Sequence, residues 1–187
     1  RWYRRSSVGV GRQEFVARKV RMAVTMAEYL LGRPIRNVLD VGCGEAPWRA
    51  VLKRMRPGVQ YLGLDTSDYA VERFGKRRNI VKGGLGDLDF MQLEGPYDLV
   101  VCADVLHYVR TPEVRLGLRA LTPLVRGVAF IEVFTAGDEF QERTAAVYER
   151  FFADAGLTRI GPHLYVGRGM LDTLVDFEGR RGAPARG

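Results

Sequence analysis

Two short apolar runs, each ending in a carboxylate, constrain this chain more than any other feature. The first is Val38-Leu39-Asp40-Val41-Gly42-Cys43-Gly44-Glu45-Ala46, and the second is Tyr61-Leu62-Gly63-Leu64-Asp65. Runs of this length read as buried strands. Gly42 and Gly44 allow a tight turn and let the backbone approach a ligand that a Cβ would hold off. Asp65 follows Gly44 by 21 residues, at the tip of the next strand. A carboxylate there can accept both hydroxyls of a ribose, so an adenosine-containing ligand is expected.

The charges beside the glycines narrow the choice. A pyrophosphate needs bare backbone N–H groups at a helix start, and nearby anions work against it. Here Asp40 stands just before the glycines and Glu45 just after them, while Pro47 occupies the place of the third glycine of a dinucleotide pattern. Two carboxylates suit a ligand carrying positive charge. S-adenosylmethionine, with an ammonium and a sulfonium as well as adenosine, fits better than NAD.

Asp40-Val41-Gly42-Cys43-Gly44 resembles motif I of the class I S-adenosylmethionine-dependent methyltransferases, and Leu64-Asp65 resembles their acidic motif II. Gly83-Gly84-Leu85-Gly86-Asp87-Leu88 is similar to their adenine-contacting segment. Tyr97 to Val109 is similar to their fourth strand and the loop after it. Ala46 departs from the pattern where motif I often carries another glycine. Asp87 falls about three residues later than the usual adenine-side acid, with Gly84 in that acid's place. The resemblance covers roughly residues 37–135. It implies an α/β, Rossmann-like three-layer sandwich with a mostly parallel seven-stranded sheet and a final antiparallel strand.

Periodicity supports the same architecture. Residues 13–31 read as an amphipathic helix with Phe15, Val16, Val20, Ala23, Val24, Ala27 and Leu30 at helical spacing, ended by Gly32 and Pro34. Strands are expected near 37–41, 60–64, 79–82, 98–103 and 127–134, with helices near 47–56, 67–75 and 112–122. Thr111 before Pro112 reads as a helix cap followed by a first-turn proline. Phe140, Thr144, Val147, Tyr148, Phe151 and Ala155 form another helical stripe, and 157–168 reads as two short strands around Gly161-Pro162. Alternating strands and helices imply a parallel sheet with right-handed crossovers. The organisation expected is a basic helical cover over 1–36, a cofactor-binding domain over 37–178 and a disordered tail over 179–187.

Composition excludes several classes. With 47% apolar residues in a chain of 187, disorder is excluded and one α/β core is affordable in size. No apolar run approaches the ~18–20 residues of a membrane span. No segment reads as a signal peptide, and the start at Arg1 without Met implies a trimmed N-terminus. The 2 cysteines cannot build a disulfide framework, which suits a reducing cytoplasm. The formal charge of +7 lies wholly in residues 1–36, where Arg1, Arg4, Arg5, Arg12, Arg18, Lys19, Arg21, Arg33 and Arg36 face only Glu14 and Glu28. Such a run reads first as a solvated helix face and second as a segment that attracts RNA or another anion.

The ligand of an open α/β sheet sits beyond the C-terminal strand ends at the topological switch point. The resemblance then implies these roles. Gly42 and Gly44 accommodate the methionine part and Asp40 orients its ammonium. Asp65, with Thr66 beside it, holds the ribose. Leu85 packs on the adenine, and Asp87 or a nearby backbone group bonds its exocyclic amine. Ala103 and Asp104 line the opposite wall. Methyl transfer needs alignment above all, worth ~7–11 kcal/mol, so no strong acid–base signature is required. His107 and Glu132 are the candidate bases. His163 reads as structural, Cys43 as a small packed residue, and Cys102 lacks the context of a nucleophile. No metal site is expected. Ala103-Asp104-Val105-Leu106 stands where this fold's enzymes for exocyclic amines carry an Asn/Asp-Pro-Pro-aromatic motif, which argues against that chemistry. With no long insertion after the fifth strand, the cover must come from residues 1–31, where Trp2, Tyr3 and Phe15 can close over the cofactor. The expected function is methyl transfer to an O or N nucleophile of a small molecule. The alternatives are an RNA- or protein-directed methyltransferase and a non-catalytic binding module. The oligomeric state is not readable.

Overall fold

Strand residues of this chain alternate between two apolar layers, and that alternation builds the domain. The computed structural model describes residues 9–135 and 141–173, with side chains from residue 13 onward. In order, the elements are α1 (Gly9–Leu31), β1 (Asn37–Val41), α2 (Pro47–Met55), β2 (Gln60–Asp65), α3 (Asp68–Arg78), β3 (Ile80–Lys82), β4 (Tyr97–Ala103), α4 (Thr111–Leu121), β5 (Val125–Glu132), α5 (Ala145–Asp154), β6 (Leu157–Gly161) and β7 (Leu164–Gly167). In β4, Leu99 and Val101 enter one layer while Val100 and Cys102 enter the other; in β5, Val128 and Phe130 are set against Ala129 and Ile131. Side chains of successive strand residues point to opposite faces, so a continuous apolar run is what a sheet covered on both faces requires.

The first layer is closed by α1, through Ala17, Val20, Ala23, Val24 and Ala27, and by Trp48, Val51 and Leu52 of α2. The second is closed by Val114, Leu118 and Leu121 of α4 and by Tyr148, Phe151 and Phe152 of α5. The sheet has seven strands in the order β3-β2-β1-β4-β5-β7-β6. The first five are parallel, and β7 runs antiparallel to both β5 and β6. The order reverses between β1 and β4, so their C-terminal ends diverge into a crevice. This is the α/β sandwich expected, with its antiparallel strand in place.

Local details differ from the expectations. The first helix starts at Gly9, ahead of residue 13. Thr111 lies inside α4, whose N-cap is Arg110 without a side-chain bond. The Thr111 hydroxyl instead accepts a hydrogen bond from Arg143 Nε at 3.1 Å, so a tertiary partner has taken the capping group. Trp2, Tyr3, Phe140 and the tail from 179 lie outside the described residues.

Opposite the crevice, one carboxylate ties three segments together. Asp98 is fully buried and accepts from Arg33 Nη1 and Nη2 at 2.8 and 2.9 Å, from the Arg36 amide at 2.7 Å and from Arg126 Nη1 at 3.2 Å. Burial alone would raise its pKa, but Arg33, the Arg36 amide and Arg126 together hold it below the ordinary value. The fork of Arg33 fixes the turn between α1 and β1. Three of the N-terminal cations are thereby spent inside the molecule or along it: Arg33 on Asp98, Lys19 on Glu132 and Arg18 on Glu14.

Two stability predictions come from this geometry. Asp98→Ala leaves two arginines without their acceptor and should cost about 3 kcal/mol, read from the urea midpoint; a loss under about 1 kcal/mol would rule out the anchoring role. A depressed carboxylate pKa adds stability that is present above the unfolded value and lost as pH falls through the folded one. The wild type should therefore lose this share below about pH 4. Separately, Ala46 caps α2 with φ 54 and ψ 56, a left-handed conformation that strains any residue with a Cβ. Ala46→Gly should raise stability by about 0.5–1 kcal/mol, the relieved strain outweighing the added freedom of the unfolded chain.

Candidate functional site

The turn after β1 exists because two of its residues adopt backbone angles that a side chain would resist. Gly42 and Gly44 have φ of 73 and 54. A Cβ on Gly42 would stand 2.3 Å from Val105 Cγ2, so the bare α-carbon lets the loop after β4 close onto this turn. Gly42 and Cys43 both donate their amides to Leu64 O, at 2.7 and 2.9 Å, which pins the turn to the end of β2. The Gly44 amide donates to Asp65 Oδ2 at 2.6 Å, and the Ser67 amide donates to Asp65 Oδ1 at 2.8 Å. Asp65 is therefore oriented through both oxygens by backbone, one from each side of the crevice wall.

Behind the glycines, Asp40 is 2% exposed and accepts a 2.7 Å hydrogen bond from the Tyr61 hydroxyl. Burial pushes its pKa up, the tyrosine bond lowers it, and the charge of Asp65 raises it further, to about 7. Keeping Asp40 ionised near neutrality costs on the order of 4 kcal/mol relative to the unfolded chain, because its folded pKa is raised. A cation brought into the cleft offsets that cost. Cys43 also borders the cleft, and burial with the Asp40 and Asp65 charges drives its thiol well up. Cys102 lies deep in the second layer with its pKa pushed up to about 12 by burial and Asp40. Neither thiol suits a nucleophile.

A cleft of about 450 Å³ opens over this turn. Asp40, the Gly42–Glu45 turn, Pro47 and Trp48 line it together with Phe15, Val16 and Lys19 of α1, Ala103 and Asp104 after β4, and Glu132 and Phe134. The register Ala103↔Glu132 sets the ends of β4 and β5 side by side, and the Asp104 amide donates to Glu132 O at 3.2 Å. Asp104 takes φ 64, an unusual angle of the kind that collects at functional sites.

The two candidate bases fall in different places. Glu132 borders the cleft, and its Oε2 is 2.5 Å from Lys19 Nζ. His107 is completely buried; its Nδ1 accepts from the Phe134 amide at 3.4 Å and its Nε2 lies 3.1 Å from Asp104 Oδ1. The imidazole sits behind the wall. His163, in the turn between β6 and β7, packs against Phe130 with ring centroids 5.6 Å apart.

The adenine-side residues lie beyond Asp65. Leu85 begins a single 3-10 turn over Leu85–Asp87 and is buried in the second layer, where a Cβ on Gly117 would stand 2.3 Å from its Cγ. Asp87 Oδ2 accepts from the Gly84 amide at 2.8 Å and so closes its own turn. Thr66 is exposed beside it, its methyl group 2.7 Å from where a Gly84 Cβ would lie. Among the described residues, no group of three or more His, Cys, Asp or Glu is arranged to hold a metal, and no helix is long and apolar enough to cross a membrane.

Two residues escaped the sequence reading. Lys19 reads as one cation of a basic face, yet it lies on the buried side of α1. Arg143 is 6% exposed and donates to Leu106 O at 2.8 Å, to Val109 O, and to the Tyr148 hydroxyl at 3.2 Å. It straps down the loop that carries Asp104. The carboxylate that Lys19 meets lies 113 residues away, and Arg143 binds mainly backbone carbonyls, which carry no signature in sequence.

Residues 39–127 match the family model of a methyltransferase domain. An uncharacterized protein of Synechococcus is 29% identical over 111 residues, which is 56% of this chain and 26% of that protein; the chain thus spans about a quarter of the curated relative it matches. Among solved structures, magnesium protoporphyrin IX methyltransferase of Synechocystis, with S-adenosylmethionine bound, is 26% identical. Its TM-score is 0.58, over 81% of this chain and 73% of that one. DesVI of Streptomyces venezuelae has a TM-score of 0.64 at 15% identity, over 84% of this chain and 94% of that one. An O-methyltransferase family protein of Burkholderia thailandensis has a TM-score of 0.56 at 20% identity, over 81% and 56%. With the matched domain model, the strand order and the glycine turn all in agreement, residues 39–127 carry a methyltransferase domain, whose cofactor is S-adenosylmethionine.

Proposed function

We propose that this protein transfers a methyl group from S-adenosylmethionine to an O or N nucleophile of a small molecule. The observation that carries this reading is the buried carboxylate of Asp40 beneath a bare glycine turn, a place that favours a bound cation. When bound, the cofactor supplies a methyl carbon already activated by its sulfonium. Asp40, Gly42 and Gly44 hold the methionine end. Asp65, with both oxygens fixed by backbone amides, receives the ribose hydroxyls beside Thr66, and Leu85 and Asp87 shape the adenine side. Ala103 and Asp104 form the far wall.

His107 acts as a positioning group, holding Asp104 in its left-handed conformation. Glu132 faces the acceptor and can take its proton, since its carboxylate lies in the cleft and the imidazole does not. The neighbours named as acting on small molecules, among them a 1,6-didemethyltoxoflavin-N1-methyltransferase and an N-acetylserotonin methyltransferase, support the acceptor class. A nucleic-acid acceptor gains less support, because described N-terminal cations such as Lys19 and Arg33 are paired with carboxylates.

Isothermal titration with S-adenosylmethionine tests the cofactor assignment. Because Asp40 must ionise to meet an ammonium, affinity should rise about tenfold per pH unit from about pH 5 and level off near pH 7. Asp40→Asn should flatten this profile. Tyr61→Phe, which removes the bond that favours the ionised form, should move it to higher pH. A wild-type affinity that is independent of pH would remove Asp40 from the ligand. Asp65→Ala should abolish measurable binding, and near-normal affinity there would sink the ribose assignment.

A further inference from the structure

On the side of α1 that packs on the sheet, Val16, Val20, Ala23, Val24 and Ala27 follow one another at helical spacing, flanked by two part-buried charges. Glu28 pairs with Arg56, and Lys19 pairs with Glu132 in the cleft. The Lys19 side chain is 15% exposed and that of Glu132 is 7%. Two charges withdrawn from water cost more than their attraction returns unless something further uses them, and packed apolar residues would stabilise α1 at least as well. The pair lies in the same cleft as the glycine turn, Ala103 and Asp104. Beside it are two rings unlike those of the core: Phe15 is 56% exposed and Phe134 is 44%, whereas Phe130 and Trp48 are shut away. Lys19 Nζ stands 4.2 Å from the Phe15 ring centroid.

From this arrangement we infer that the methyl acceptor is a planar aromatic compound with an acidic hydroxyl, received between Lys19 and Glu132. The inference rests on the cofactor reading above and adds the substrate class. A hydroxyl of this kind satisfies both charges, donating to the Glu132 carboxylate and accepting from the Lys19 ammonium. A carboxylic acid acceptor would meet the Glu132 charge, and a basic amine would meet the Lys19 charge, so each is disfavoured by one partner. The apolar rings take the flat face of the acceptor. As the acceptor oxygen gains the methyl carbon, the carbon–sulfur bond breaks with its electron pair left on sulfur. The hydroxyl proton passes to a Glu132 oxygen, and the Lys19 ammonium stabilises the oxygen's developing negative charge in the meantime.

The test uses the full chain with S-adenosylhomocysteine bound and three probes of matched shape: 4-nitrophenol, 4-nitroaniline and 4-nitrobenzoate. The phenol should bind at least about tenfold more tightly than the other two, with its absorbance moved toward the nitrophenolate band. Lys19→Met should lose about tenfold in phenol affinity and the nitrophenolate signal, while affinity for S-adenosylhomocysteine stays within about twofold. Lys19→Arg should restore the signal in part. If Lys19→Met fails to fold, the double variant Lys19→Met/Glu132→Gln, which leaves no charge unpaired, reads the same loss. Equal binding of the three probes, or of none, overturns the inference and leaves the cofactor reading standing. A tenfold loss in S-adenosylhomocysteine affinity in Lys19→Met also overturns it and gives Lys19 to the cofactor's carboxylate. Failure of the wild type to bind S-adenosylhomocysteine overturns the cofactor reading, and this inference with it.

Discussion

A carboxylate held out of water where the sheet reverses its strand order organises this molecule. Asp40 cannot be ionised cheaply there, and among the described residues its hydrogen-bond partner is the hydroxyl of Tyr61. Everything around it keeps that tension directed at the cleft. The glycine turn is pinned to β2 by two amides, Asp65 is held by a third, and Val105 packs into the space that Gly42 leaves open. A folded protein that carries a cost of this size at neutral pH gives it back when a cation arrives. By the same physics, any cation that Asp40 binds there is coupled to release of a proton.

The opposite end of the sheet carries no such tension. Asp98 is buried as deeply, yet two guanidinium groups and a backbone amide satisfy it, and its pKa falls where that of Asp40 rises. Burial alone therefore does not mark the site; burial with a shortage of donors does. The contrast also explains how α1 can serve two purposes. Arg33, just past its C-terminal end, locks it to β4 through Asp98, and its apolar stripe closes the first layer. Its N-terminal turns are then free to present Phe15, Val16 and Lys19 to the cleft.

Strand ends, turn glycines and their spacing are local properties, so the fold and the glycine turn that borders the cleft were legible from residue order alone. The parallel sheet followed from the alternation of strands and helices, and the departure at Ala46 was visible as an alanine where the resembled motif often carries glycine. What stayed hidden was long-range. Lys19 and Glu132 are separated by 113 residues, and Arg33 and Asp98 by 65. Arg143 binds backbone carbonyls, which carry no signature in sequence. The Thr111 hydroxyl looked like a cap because its other suitor lies 32 residues on. His107 looked like a base because its type and loop fit that role, and only the three-dimensional packing places it behind Asp104.

This division has a physical origin. The part of the cleft around the glycine turn is made largely of backbone: amides, a tight turn, and the Asp65 carboxylate oriented by N–H groups. Backbone geometry follows from the fold and constrains the residues that permit it, which is why glycines and short runs betray it. The rest of the cleft is lined by side chains on α1 and at the end of β5. Such positions can change without disturbing the layers beneath them, so the fold does not dictate them. A residue that the fold does not require and that costs energy to bury is therefore the place to look for what this protein selects. Lys19, charged and part-buried beside the cleft, meets that description more fully than the histidine that the loop after β4 offered first.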